Sequence, residues 1–193
     1  PVIEKLKRCR VISRMGIGLD NIDVAYATSR GIVVTNVPDY CFEEVAEHTI
    51  ALLFSLARKV ALYHHQSKTG RYDLNEGPEL RRIAGQTLGI VGLGQIGRRV
   101  AEKALALGLK VVAHTLPGSP AVPGVRLASF DELLATADYV TLHAPLTEAT
   151  RHLISRDALA KMKPAAYLIN TARGGLVDSS ALAAALAENR LAG

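Results

Sequence analysis

Three glycines, Gly92, Gly94 and Gly97, form a G-x-G-x-x-G pattern that constrains the fold of this chain more than any other feature. The pattern follows an apolar strand-like run at residues 87–91 and opens a helix pattern over Gln95–Leu107. Gly92 permits a tight turn, Gly94 leaves room for a pyrophosphate, and Gly97 lets the helix approach the strand. The free N–H groups of the helix N-terminus would then bind the pyrophosphate. The context favours a dinucleotide site over the same turn without a ligand.

Residues 85–193 alternate between short apolar runs and amphipathic segments. The apolar runs predict strands at 87–91, 110–114, 125–127, 139–143 and 166–171, and the segments between them predict helices at 95–107, 130–136, 156–162 and 179–188. Such alternation is typical of an α/β fold with a doubly wound parallel sheet. We therefore predict a dinucleotide-binding domain over 85–193, with a further strand expected after Gly193.

The N-terminal part divides into two further segments. Residues 1–41 resemble the end of an α/β unit, with strands at 10–14 and 32–36 around a helix at 24–29. Residues 42–84 predict one long helix, from Phe42 to Lys68, followed by a loop that contains Gly77-Pro78. Because the helix is apolar on nearly every face between Thr49 and Ala57, we predict a domain connector that also contributes to a subunit contact.

Composition excludes several classes of protein. The chain has 193 residues, of which 49% are hydrophobic and 21% charged, so it can bury a core and is not a disordered chain. Its net charge of +5 is spread along the chain and aromatics are 5%, which argues against a nucleic-acid partner. No apolar run is long enough to span a membrane, and Cys9 and Cys41 do not have the spacing of a metal site. We expect a cytoplasmic protein that binds no metal, no membrane and no nucleic acid.

Two positions beyond the glycine pattern bear on chemistry. About 20 residues after it, where an acid would accept from the ribose hydroxyls, stands Thr115, and no arginine follows at 116–119. The choice between NAD and NADP therefore stays open, with NAD favoured. Arg173 lies just beyond the strand predicted at 166–171, where ligands bind in such sheets. It suits bidentate recognition of a carboxylate, although a helix-capping or surface arginine fits the spacing equally well.

Six blocks, in order, carry a resemblance to the D-isomer-specific 2-hydroxyacid dehydrogenase family. That family includes phosphoglycerate, glyoxylate/hydroxypyruvate and D-lactate dehydrogenases and the C-terminal-binding-protein corepressors. The resemblance implies a Rossmann-type NAD-binding domain with a remnant of a flavodoxin-like substrate domain. The blocks are residues 16–23 (GIGLDNID), 36–38 (NVP), 45–49 (VAEHT), 87–94 (TLGIVGLG), 142–147 (LHAPLT) and 169–178 (INTARGGLVD).

The resemblance also implies residue roles. Arg173 is similar to the family's catalytic arginine, which holds the substrate carboxylate and polarises the carbonyl. Ile17 and Gly18 match the substrate-binding loop, and Thr115 departs from the family's usual acid. The matching cofactor positions are Gly92, Gly94, Gln95, Ile96 and Gly97 in the pyrophosphate loop, Ala144, Pro145, Thr147 and Thr150 in the wall near the adenosine, and Thr171 and Ala172 on the nicotinamide side.

Two departures concern catalysis. The family's acid/base histidine, and the Glu or Asp that raises its pKa, are expected downstream of Gly193, and most of the substrate domain is expected upstream. The histidines of the chain are expected to pack or to lie at the surface, at positions 48, 64, 65, 114, 143 and 152. We therefore expect these 193 residues to bind the cofactor without turnover.

Three functional hypotheses follow. The first is a piece of an NAD(P)-dependent oxidoreductase, a homodimer that transfers hydride between the cofactor and a D-2-hydroxy acid or 2-keto acid. The second is a corepressor-like dimer that uses NAD as a signal and binds peptides. The third is a dinucleotide fold that has lost its cofactor.

Overall fold

A computed structural model describes residues 2–76 and 79–193 of the chain. Pro1 and the Gly77-Pro78 pair of the predicted loop lie outside the described residues. The described residues up to Phe42 form one compact unit, and those from Glu43 onward form a second. The finer division at 41/42 and 84/85 remains a prediction.

The first unit is a small α/β arrangement. Its two strands pair in parallel, with Val11 opposite Val33. Asp23 begins the helix between them, because its carboxylate accepts the Tyr26 N–H at 2.8 Å. Gly31 follows that helix at a φ of +69°, which favours glycine. The elements are α1 (Val2–Lys5), β1 (Val11–Ser13), α2 (Val24–Ser29) and β2 (Val33–Thr35).

The second unit, together with Phe42 at the start of its first helix, contains the alternating strands and helices that the sequence predicts. Apart from the long helix treated below, the observed bounds lie within one residue of the predicted ones. A 3₁₀ turn at Gly174–Leu176 was not predicted. The elements are α3 (Phe42–Ala57), α4 (Val60–Lys68), β3 (Thr87–Val91), α5 (Gln95–Ala106), β4 (Lys110–His114), β5 (Val125–Leu127), α6 (Phe130–Thr136), β6 (Tyr139–Leu142), α7 (Arg156–Lys161), β7 (Tyr167–Asn170) and α8 (Ser179–Ala187).

The five strands described in this unit form a sheet in the order β5-β4-β3-β6-β7, and every neighbouring pair is parallel. The chain builds outward from β3 to β5 and then returns to place β6 on the other side of β3. The order reverses at that point, which is where ligands bind in open α/β sheets. The doubly wound parallel sheet predicted from the sequence is thereby confirmed.

Helices cover both faces of this sheet. On one face, α6, α7 and α8 contribute Leu133, Ala158 and Ala181 to a buried apolar cluster. On the other face, α3 and α5 contribute Leu53 and Val100 to a second cluster. Burial of such side chains is the main favourable term in folding. The strands are consequently apolar on both sides, as the near-continuous apolar runs in the sequence indicate.

The predicted single helix over Phe42–Lys68 is wrong. The chain forms α3 and α4 separately, because Lys59 between them adopts a left-handed conformation with a φ of 52°. Lys59 is only 7% exposed, and its ammonium donates to the Glu76 carbonyl at 2.7 Å. A buried ammonium needs such a partner. The break therefore turns a charged side chain towards a backbone carbonyl in the loop after α4.

Helix α3 buries a single stripe of side chains and leaves much of its surface partly exposed. The buried residues are Ala46, Thr49, Leu53 and Ala57, which recur at helical spacing. In residues 2–76 and 79–193, no helix has the length and apolar character needed to cross a lipid bilayer.

Candidate functional site

Hydrogen bonds join the carboxyl ends of the neighbouring strands β4, β3 and β6, so that these strands end side by side. Gly92, just after β3, donates its N–H to the His114 carbonyl at 2.8 Å. On the other side, His143 donates its N–H to the Val91 carbonyl at 2.8 Å. Thus the loops after β4, β3 and β6 begin side by side at the point where the strand order reverses.

The three glycines of the loop after β3 differ in what surrounds them. Gly92 has a φ of +96°, and a Cβ there would lie 2.8 Å from the Ala144 nitrogen. A Cβ on Gly97 would lie 2.1 Å from the Gly92 carbonyl oxygen. By contrast, a Cβ on Gly94 would meet no atom of the described residues within 4 Å. Gly92 and Gly97 are thus required by the protein's own packing, whereas Gly94 leaves open space.

That open space lies at the N-terminus of α5. Gly94 is the N-cap residue, in an extended conformation, and has no side chain to accept the first N–H groups of the helix. A helix N-terminus carries partial positive charge and binds phosphate oxygens. Gln95 is exposed and Ile96 packs partly against the core. The open space beside Gly94 and the helix N–H groups that no side chain caps fit a dinucleotide pyrophosphate.

Thr115 lies at the end of β4, where the sequence predicts the ribose. Its hydroxyl oxygen is 3.4 Å from the Leu93 nitrogen and 2.9 Å from the Ser119 oxygen. Since the Ser119 hydroxyl itself donates to the Leu116 carbonyl, Thr115 is the donor in the Thr115–Ser119 bond. Thr115 thus joins the glycine loop to the loop after β4. Its side chain is uncharged, so no carboxylate stands at the predicted ribose position.

The hydroxyl of Thr150 makes the shortest side-chain hydrogen bonds within the loop after β6. Thr150 donates to the Pro145 carbonyl at 2.7 Å and accepts the Thr147 N–H at 2.8 Å. The Ala144 nitrogen lies where a Cβ on Gly92 would approach to 2.8 Å, so the start of this loop is beside the glycine loop. These residues therefore lie at the carboxyl edge, and Thr150 braces the loop. A direct contact of Ala144, Pro145, Thr147 or Thr150 with adenosine stays a prediction.

His143 is packed at the end of β6, and desolvation lowers its pKa from 6.5 to about 4. Its Nε2 lies 3.0 Å from the hydroxyl of Thr141, which is fully buried. A buried hydroxyl needs a hydrogen-bond partner. The imidazole is therefore neutral at pH 7 and serves packing, and it places no positive charge beside the glycine loop.

The lowered pKa of His143 makes folding sensitive to acid. In the unfolded chain His143 takes up a proton near pH 6.5, whereas in the folded chain it does so only near pH 4. Its titration therefore does not affect the free energy of unfolding above pH 6.5 and lowers it as the pH falls from 6.5 towards 4. We expect His143→Gln to flatten this part of the curve when the free energy of unfolding is measured by urea titration at several pH values. An unchanged slope in the variant would contradict this assignment.

Arg173 projects from a tightly folded segment after β7. Asn170 accepts the Ala172 N–H at 3.0 Å and donates its amide to the Arg173 carbonyl at 2.9 Å. The Arg173 guanidinium donates to the Ala172 carbonyl at 3.0 Å, and the residue is half-buried. Asn170 therefore fixes the backbone from which the arginine extends, at the same sheet edge as the glycine loop.

Thr171, in the same segment, also contacts helix α3. Its hydroxyl oxygen lies 3.0 Å from that of Thr49, which is 122 positions away in the sequence. Thr49 and Asn170 lie in two of the six sequence blocks, but the sequence predicts no functional role for either. An Asn at the end of a strand is a signal for a side chain that closes the following turn. No sequence signal indicates the Thr49–Thr171 pair.

Ile17 and Gly18 lie in the first unit, in the loop after β1. The Asn36 amide donates to the Ile17 carbonyl at 2.7 Å, and the Val37 N–H donates to the Gly16 carbonyl at 3.2 Å. The loop is thus fixed by the residues that follow β2. A substrate contact of Ile17 and Gly18 stays a prediction.

Comparison with known proteins adds an independent line of information. Residues 50–193 match the family model described as "D-isomer specific 2-hydroxyacid dehydrogenase, NAD binding domain". The chain is 42% identical over 198 residues to the D-3-phosphoglycerate dehydrogenase of Methanocaldococcus jannaschii, covering 98% of this chain and 37% of that protein. It is 41% identical over 182 residues to the hydroxypyruvate reductase of Thermotoga maritima, covering 94% of this chain and 59% of that protein.

A solved structure matches the fold throughout. The D-lactate dehydrogenase of Aquifex aeolicus, in complex with NAD and lactic acid, superposes with a TM-score of 0.89 at 35% identity. The match covers all of this chain and 58% of that one. This chain thus spans between about a third and three fifths of the length of the relatives named here.

Proposed function

Because this chain belongs to the D-isomer-specific 2-hydroxyacid dehydrogenase family and carries its NAD-binding domain, we propose that its protein transfers hydride between NAD and a D-2-hydroxy or 2-keto acid. One observation carries the proposal. An arginine on a braced backbone, Arg173, extends from the same sheet edge that presents the open helix N-terminus at Gly94. The acid substrate needs a cation for its carboxylate, and NAD needs hydrogen-bond donors for its pyrophosphate.

The cofactor is held by the carboxyl edge of the sheet. The N–H groups at the start of α5, around Gly94 and Gln95, would bind the pyrophosphate, and Thr115 would lie on the side of the adenosine ribose. When bound, the nicotinamide accepts or supplies the hydride. The loops after β6 and β7 would contact the rest of the cofactor, with Thr171 and Ala172 on the nicotinamide side.

Arg173 binds and orients the acid substrate. A guanidinium donates two parallel N–H bonds to a carboxylate, which fixes the plane of the substrate as well as its position. The same positive charge stabilises negative charge that develops on a carbonyl oxygen next to that carboxylate. For Ile17 and Gly18 we propose a substrate contact, as the family resemblance implies.

We further propose that the protein is a cytoplasmic homodimer. Helix α3 supports the dimer, because its Leu52, Phe54 and Leu56 are only partly buried within the chain. Cys9 and Cys41 are both unpaired, as is usual in a reducing compartment. Sedimentation of the protein at several concentrations measures the oligomeric state.

The test of the activity is direct. The protein is titrated with NADH in a calorimeter and then assayed with glyoxylate, hydroxypyruvate and pyruvate while the NADH absorbance is followed. We expect saturable NADH binding and, in the form of the protein that contains its complete substrate domain, turnover with at least one of these acids. NADH binding without turnover of any 2-keto acid by that form would contradict the proposed reaction.

The uncharged Thr115 leads to a prediction on cofactor choice. A carboxylate at this position accepts from the ribose hydroxyls and repels a 2′-phosphate. We expect Thr115→Asp to weaken NADPH binding by about tenfold or more while NADH binding is kept or improved. Thr115→Asn has the same shape without the charge, and we expect it to leave the ratio of the two dissociation constants near that of the unaltered protein. Equal effects of Asp and Asn would contradict the assignment.

A further inference from the structure

Thr49 is a polar residue in the buried stripe of α3. Its neighbours in the stripe, Ala46, Leu53 and Ala57, are apolar, and Thr49 is fully buried with them. Valine has nearly the same shape and would bury no hydroxyl. A buried hydroxyl costs free energy unless it is hydrogen-bonded, so packing alone does not explain this threonine.

The hydrogen bonds around Thr49 have a defined direction. Its hydroxyl donates to the Val45 carbonyl, one helical turn earlier, at 2.8 Å. A hydroxyl has a single proton, so Thr49 is the acceptor in its 3.0 Å bond with Thr171. The chain of donors therefore runs from Thr171 through Thr49 to the helix backbone, and it fixes the side chain of Thr171.

Thr171 stands directly before Ala172 and Arg173. Asn170 shapes this segment from within, through its bonds to Ala172 and Arg173. Thr49 instead ties the segment to another element, α3. Helix α3 packs through Leu53 into the same apolar cluster as Ile169 of β7. The position of Thr49 relative to β7 is therefore fixed by core packing.

We propose that Thr49 is a positioning residue, which sets the segment Thr171–Arg173 for the nicotinamide end of the cofactor by accepting the Thr171 hydroxyl. The inference rests on the proposed function, because it takes Thr171 and Ala172 to lie on the nicotinamide side. Thr49 touches no ligand in this role. It acts through Thr171.

The test compares a ligand that has a nicotinamide with one that lacks it. Dissociation constants for NADH and for ADP-ribose are measured by calorimetry with the unaltered protein, Thr49→Val and Thr49→Ser. We expect Thr49→Val to weaken NADH binding about fivefold, as for the loss of one hydrogen bond, and ADP-ribose binding less than about twofold. Thr49→Ser retains the acceptor, and we expect it to restore the NADH value.

Thr136 supplies the matched control. Its hydroxyl donates to the Glu132 carbonyl one turn earlier at 2.7 Å, as Thr49 does to Val45, but it lies on α6, on the other face of the sheet. We expect Thr136→Val to change neither dissociation constant. Equal weakening of NADH and ADP-ribose by Thr49→Val, or no change in either, would overturn the inference. Failure of the unaltered protein to bind NADH would instead overturn the proposed function, and the inference with it.

Discussion

Gly94→Val is expected to abolish dinucleotide binding while leaving the fold intact. The backbone at Gly94 has a φ of −77° and a ψ of −161°, an extended conformation that valine adopts readily. A Cβ there meets none of the described atoms within 4 Å, so the first side-chain carbon clashes with nothing in the described protein. The pyrophosphate needs that room and the N–H groups behind it. We expect the NADH dissociation constant to rise about 100-fold or more.

The measurements that check this are a calorimetric NADH titration and a urea unfolding curve for the same protein. Gly97→Ala is the matched comparison, because a Cβ at Gly97 would lie 2.1 Å from the Gly92 carbonyl oxygen. We expect Gly97→Ala, unlike Gly94→Val, to lower the free energy of unfolding by at least about 1–3 kcal/mol, because its Cβ clashes with backbone. Gly94→Val that binds NADH normally would contradict the assignment of the pyrophosphate site.

In the form of the protein that contains its complete substrate domain, Arg173→Gln is expected to reduce turnover strongly and to leave cofactor binding nearly unchanged. Glutamine keeps some of the length and polarity of the side chain but loses the charge and the two-pronged donor. We expect kcat/KM for the 2-keto acid to fall about 100-fold or more, which is the usual scale for losing a group that stabilises developing charge. The NADH dissociation constant should change less than about twofold.

Two further variants make the Arg173 result specific. Arg173→Lys keeps the positive charge without the planar fork, so we expect an intermediate loss. Arg126→Gln alters a surface arginine of β5, paired with Glu132, and should leave turnover unchanged. A fall in NADH affinity as large as the fall in kcat/KM would show that Arg173 supports the cofactor instead of the substrate.

Local sequence signals were sufficient for most of the fold and for the family. The spacing of apolar residues in 85–193 reflects which side chains each element buries. Strands β3, β4, β6 and β7 are covered on both faces and each helix packs on one, so the same pattern recurs along the sequence. The family match over residues 50–193, which contains three of the six blocks, and the 42% identity to a phosphoglycerate dehydrogenase over 98% of the chain together confirm the family resemblance. Turn chemistry at Gly92 and Asp23 is likewise local, because φ and capping depend on a few neighbouring residues.

The features that sequence reasoning missed depend on residues distant in the chain. Nothing near Lys59 indicates a helix break, since the break serves a bond to the Glu76 carbonyl in the loop beyond α4. The Thr49–Thr171 bond joins residues 122 positions apart, and helical spacing alone makes Thr49 look like core. Thr150 resembles a cofactor contact in sequence, and the structure adds that its hydroxyl braces its own loop.

The three glycines of the loop after β3 would also behave differently if a descendant of this protein ceased to bind a dinucleotide. Gly92 and Gly97 are constrained by the strand end and by the helix, so selection for folding alone would retain both. Gly94 is constrained only by the ligand and would be free to drift. Among diverged sequences, a bulky residue at the middle glycine therefore marks a lost cofactor, and persistence of the outer two carries no such information.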